Sequence, residues 1–162
     1  MDLMQFSTSH LLKLHCEILD ELRSRDIVRS SNNPVSDYAE LLFCKAFSWT
    51  RKNNSSIGYD ACDANGLRYQ IKGRRITPQN RSRQLSAIRG LPNDPFDHLA
   101  GVLFDAQLHV TRAAIVPLEV IKKLATHQSH TNSWRFLLRD IVWDKPGVID
   151  VTDKIQIAEA SL

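Results

Sequence analysis

Two short runs, Gly58-Tyr59-Asp60 and Gln70-Ile71-Lys72, carry side chains that could hold a hard cation and move a proton. On a β-strand residues i and i+2 share a face, so Gln70 and Lys72 project together while Ile71 faces away. Whether Asp60 joins them depends on the intervening turn. A two-residue Asn65-Gly66 turn pairs Ala64 with Leu67 and sets Asp60 against Ile71, on the wrong face. A three-residue loop, Ala64-Asn65-Gly66, with Gly66 left-handed as a bulge, pairs Asp63 with Leu67 and Asp60 with Gln70. Only the second register builds a site, and Asp63 is the reserve acid under the first. Glu40, upstream in a helical pattern, is a further oxygen donor. The carboxylates of Glu40 and Asp60 and the side-chain carbonyl of Gln70 suit Mg²⁺, with Mn²⁺ as a substitute. Such an ion neutralises phosphodiester charge and activates water. Lys72 supplies a point charge that orients or deprotonates that water, or stabilises charge building up on the phosphorane. With two carboxylates the ion is held weakly until a substrate phosphate completes its shell.

Each residue also has a plainer reading. Asp60 can be a strand-end hydrogen-bonding residue, Gln70 and Lys72 a solvated strand face, and Glu40 a solvent-facing helix residue. Glu40 lies beside Leu41 and Leu42 and three residues before Phe43, so its side of the helix is not clearly polar. If buried, it requires a partner such as Lys72 or a metal ion.

The elements that must position these groups are legible in the periodicity. Leu11, Leu12, His15, Ile18, Leu19 and Leu22 recur at spacings of three and four, which predicts an amphipathic helix over residues 9–23 capped by Ser7, Thr8 or Ser9. Pro34 opens a second helix running to about Phe47. Residues 51–56 read as a loop, and the two chemical runs flank a β-hairpin. Residues 98–104 and 109–116 read as two more strands, Pro117 starts a helix to about Ala125, residues 133–142 are ambiguous, and residues 147–151 suggest a last strand. This order indicates helices flanking a sheet in one domain of residues 1–162: a helical part 8–47, a sheet core 57–117 and a C-terminal extension 118–162.

The 162 residues are 43% apolar and 24% charged with 6 Gly and 6 Pro, which excludes disordered, collagenous and low-complexity classes. No run is apolar enough to span a membrane and no secretory leader is visible, so a cytoplasmic location is expected. Cys16, Cys44 and Cys62 are odd in number and widely spaced, and are expected as reduced, buried thiols. The His127-x-x-His130 pair sits in a polar loop and makes a poor zinc site. Phosphate-binding glycine loops and nucleophile elbows are absent from the sequence. The net charge of +3 conceals a polarised chain: residues 64–93 contain no acid but carry Arg68, Lys72, Arg74, Arg75, Arg81, Arg83 and Arg89. That stretch points to DNA as partner, with Arg74, Arg75, Arg81 and Arg83 on backbone phosphates.

Glu40, Asp60, Gln70 and Lys72, in this order, resemble the PD-(D/E)XK, or restriction-endonuclease-like, nuclease superfamily in its Gln-x-Lys variant. The resemblance covers roughly residues 34–117. It implies an α/β fold with a central mixed β-sheet flanked by helices, and a helix-borne acid, a strand Asp and a Gln-x-Lys strand gathered around Mg²⁺. Two positions depart from the pattern: Tyr59 stands where the family has Pro, and Gln70 replaces the commoner acid. The function expected is Mg²⁺-dependent hydrolysis of phosphodiester bonds in DNA, by a homodimer or with a partner subunit. The alternative is a non-catalytic nucleic-acid-binding or protein-interaction module on the same scaffold.

Overall fold

The computed structural model describes residues 2–30, 33–52 and 58–162. The first helix, α1 (Thr8–Ser24), begins where the Ser7 hydroxyl oxygen accepts the His10 amide, filling one of the unsatisfied donors of the first turn. The second, α2 (Val35–Phe47), follows Pro34 and stops at Ser48, whose φ of 56° cannot continue a right-handed helix. In its first turn Asp37 accepts the amides of Arg29 and Ser30, each at 2.9 Å, which pins the incoming chain against the helix start.

Among the described residues eight strands follow: β1 (Thr50–Arg51), β2 (Ala61–Cys62), β3 (Arg68–Arg75), β4 (His98–Phe104), β5 (Val110–Pro117), β6 (Thr126–Gln128), β7 (Ser133–Arg135) and β8 (Ile149–Asp150). Two further helices are α3 (Leu118–Leu124) and α4 (Thr152–Ala160). Six strands form one mixed sheet in the order β1-β2-β3-β4-β5-β8, and β6 pairs with β7 apart from it. Within the large sheet only β3 and β4 run parallel, so the chain between them must cross back over one face. Strand β4 is buried from Leu99 through Phe104, as expected of a central strand covered on both faces.

One face of the sheet packs Tyr69, Ile71, Val102 and Phe104 against Ala39, Leu42 and Phe43 of α2 and Ile155 and Ala158 of α4. The other packs Leu99, Leu103 and Val116 against Leu85 and Ile88 of the β3–β4 connection, Ile121 of α3, and Phe136 and Leu138. Burying each valine, leucine, isoleucine or phenylalanine among them contributes about 2 kcal/mol. Close approach fixes α2 on β3: a Cβ added to Gly73 would lie 3.0 Å from the Val35 carbonyl oxygen and 3.1 Å from the Ala39 Cβ.

The structure departs from the sequence reading in several places. In the segment read as a C-terminal extension, a last strand is present as β8, paired with β5, and α4, which no sequence pattern announced, supplies Ile155 and Ala158 to the core. Thr50 and Arg51 form an edge strand, which takes Arg51 out of the loop read over residues 51–56, and residues 53–56 of that loop lie outside the described residues. The ambiguous segment 133–142 is a short strand, an irregular stretch and a 3₁₀ turn. Helix α1 exists, but none of its residues is buried, and Leu12 and Ile18 are 63% and 53% exposed. Cys16 is exposed with it, and Cys44 and Cys62 are only half-buried. No helix among the described residues is long and apolar enough to cross a membrane.

Candidate active site

Strand β2 pairs with β3 in the register Ala61 to Tyr69 and Cys62 to Arg68. Continued by one residue, this sets Asp60 against Gln70, the register of the three-residue loop. Gly66 closes that loop at φ 82°, and the Asp63 amide donates to the Leu67 carbonyl at 3.1 Å. Asp63 is consumed by the turn: its Oδ1 accepts the Asn65 and Leu67 amides at 2.9 Å each, and its Oδ2 accepts the Tyr69 hydroxyl. The reserve acid is thereby a turn residue.

Asp60 sits immediately before β2. Its amide donates to the Tyr69 carbonyl at 2.8 Å, and its Oδ2 accepts the Ile71 amide at 2.7 Å. The carboxylate is thus held against the peptide group that joins Gln70 to Ile71. Burial pushes the Asp60 carboxyl above its ordinary range, and the Ile71 hydrogen bond works against that rise. Nearby Glu40 adds to the rise, while Lys72 and Arg29 oppose it. The mirror image holds at Lys72, where burial lowers the ammonium pKa and the charges of Asp60 and Glu40 support it. Its Nζ donates to the Ser86 hydroxyl at 3.0 Å, a group brought in by the β3–β4 connection. The structure therefore brings Glu40, Asp60 and Lys72 into one electrostatic cluster, with Gln70 beside Asp60 by register.

Gln70 contributes an unusual atom. Among the described residues its Oε1 is buried with no hydrogen-bond partner, a condition that costs roughly 1–3 kcal/mol and that an added cation or water relieves. Glu40 has partners other than those expected of it. Its Oε2 accepts from Arg51 Nε at 2.9 Å and from Arg29 Nη2, so two guanidiniums neutralise it rather than Lys72 or a metal alone. Arg51 also donates to the Asp37 carbonyl, and Arg29 to the Lys52 carbonyl, which ties α2 to the start of the β1–β2 connection. Sequence reasoning missed Arg29 and Arg51; the one signal was that a half-buried Glu40 requires a cationic partner.

Among the described residues no group of three or more His, Cys, Asp or Glu could hold a metal ion. The oxygens that remain for a hard cation are those of Asp60 and Gln70, with Glu40 shared between two arginines. Such a set fits an ion bound loosely by protein and completed by substrate oxygens.

The arginines of the acid-free stretch divide. Arg68 forms an ion pair with Asp97 at 2.9 Å, and Arg83 pairs with Asp140 at 2.7 Å, so two charges that lack a counter-ion in the sequence find one across the fold. Arg74 donates to the Ser82 carbonyl and Arg75 to the Ala106 carbonyl, each at 2.9 Å. Arg81 is exposed. Strand alternation puts Arg74 on the side of Gln70 and Lys72 and Arg75 on the other. No family model matches the chain, and no curated protein matches its sequence.

Proposed function

We propose that this chain is a Mg²⁺-dependent nuclease of the restriction-endonuclease-like PD-(D/E)XK kind, hydrolysing phosphodiester bonds in DNA. The observation that carries the reading is the unpartnered, buried Gln70 Oε1 beside a desolvated Asp60 carboxylate, with Lys72 on the same strand face. Asp60 and Gln70 would hold the ion, which supplies charge neutralisation at the phosphate and acidifies water. The Ile71 amide fixes one Asp60 oxygen and leaves the other for that role. Lys72, its pKa lowered by burial, takes up or positions the proton of the attacking water at Nζ, and the Ser86 hydroxyl orients that nitrogen. Arg29 and Arg51, held by Glu40, add positive charge around the acids.

One observation favours the alternative, a non-catalytic nucleic-acid-binding module: Glu40 already carries two guanidiniums, which leaves Asp60 as the acid without a side-chain ion pair in the cluster. Incubating the purified chain with supercoiled DNA in Mg²⁺, Mn²⁺ and chelator separates the two readings. Metal-dependent nicking supports the nuclease; binding without cleavage in either metal supports the module.

A further inference from the structure

A cleft of about 650 Å³ opens at the carboxyl ends of β3 and β4, lined by Arg81, Arg83 and Arg112 together with Ile76 and Thr77. Arg112 lies 3.8 Å over the Trp143 ring and shares Asp140 with Arg83, so both guanidiniums are oriented in advance. The acid that lines the cleft, Asp105, is spent on its own turn, accepting the Gln107 and His109 amides at 2.8 and 2.9 Å. Among the described residues Arg81 pairs with no acid. Phe104 is fully buried and Arg112 covers Trp143, so the lining presents guanidinium forks rather than a free aromatic face. That chemistry suits phosphate oxygens better than stacked bases.

The cleft continues the candidate active site. Gln70, Lys72 and Arg74 alternate along one side of β3, and Ile76, the residue just past its end, lines the cleft. The hydrogen bond from Arg74 to the Ser82 carbonyl draws the segment bearing Arg81 and Arg83 toward that side. Four residues of strand span about 13 Å, close to the axial rise of about four nucleotides in a duplex. We propose that this cleft is a second nucleic-acid subsite, holding the phosphate backbone of a DNA strand about four nucleotides from the one at Lys72. Its placement rests on the nuclease reading of that site. Asp140, 68% exposed, competes with the phosphates for Arg83 and Arg112.

Fluorescence anisotropy in EDTA, with a hairpin duplex of about three base pairs, too short to span both subsites, and a duplex of about fourteen base pairs, tests this without cleavage. Arg81→Ala and Arg112→Ala should each weaken binding of the longer duplex by about three- to tenfold and reduce its salt slope by about one, the loss being confined to that duplex. Arg81 makes no packing contact with Trp143, so its variant stands if the Arg112 variant misfolds. Asp140→Asn should tighten the longer duplex. Absence of binding, equal losses on both lengths, no loss in the arginine variants, or an Asp140→Asn affinity at or below wild type each overturns the subsite. Cleavage is read separately in Mg²⁺. A chain with this length dependence that never cuts keeps the subsite and refutes the nuclease, and one that cuts without it does the reverse.

Discussion

Asp60 and Lys72 lie in surroundings that push both toward neutrality, one carboxyl raised and one ammonium lowered, with burial as the largest cause in each. For Asp60 the native state binds the proton more tightly than the unfolded chain, so its ionisation costs stability. That cost is absent below the ordinary carboxyl value of 3.8 and grows as pH rises through the raised one. Replacing Asp60 by Asn keeps an acceptor for the Ile71 amide and removes the buried charge. The variant should therefore be more stable than wild type at neutral pH by about 1 kcal/mol and should lose that advantage in acid, measured by urea unfolding across pH. Glu40 behaves oppositely. Its side chain is 12% exposed between Arg51 at 19% and Arg29 at 27%, so Glu40→Gln leaves Arg29 without its ion-pair partner and Arg51 with only Asp37, 3.9 Å away. Thermal or urea unfolding should show a loss of about 3 kcal/mol.

The elements act on the site through close approach. Val35 and Ala39 of α2 meet β3 over Gly73, the only residue type that lets a helix carbonyl come this near, and Glu40 is delivered by the same contact. Gly73→Ala should destabilise by about 1–3 kcal/mol and lower any metal-dependent cleavage as α2 shifts, a pairing that unfolding and activity measured on one preparation would check. The sequence made much of this arrangement legible. Strand β4 was marked by an unbroken apolar run, α2 by Pro34 and its spacing, and the hairpin register by Gly66 in the only turn that puts Asp60 with Gln70. What stayed hidden was long-range. Arg29 and Arg51 sit in polar segments with no periodicity, and only the fold brings them to Glu40. Arg68 and Arg83 read as uncompensated because Asp97 and Asp140 lie far along the chain. Residues 147–151 suggested a last strand, but nothing in residues 152–160 was read as the helix that completes one layer of the core.

At the scale of the molecule, the six-stranded sheet separates two tasks. One face is closed by α2 and α4, and on the other the segment after β3 brings Ser86 to Lys72 and Ser82 to Arg74. Within residues 64–93, Lys72, Arg74, Arg75, Arg81 and Arg89 form no ion pair among the described residues, so this acid-free stretch keeps its positive charge on β3 and in the connection that follows it. Such a distribution lets one charge be removed with little effect on affinity and a large effect on chemistry, since Lys72 alone among them shares an electrostatic cluster with Asp60. The most direct test is therefore plasmid nicking by Lys72→Ala beside wild type in Mg²⁺ and Mn²⁺, with DNA affinity measured on the same preparations in EDTA. The account predicts metal-dependent nicking by wild type, a loss of about 10²- to 10⁴-fold in the variant, and affinities within about twofold of each other. Nicking that survives Lys72→Ala, or a wild-type chain that binds DNA and cuts it in neither metal, would contradict it.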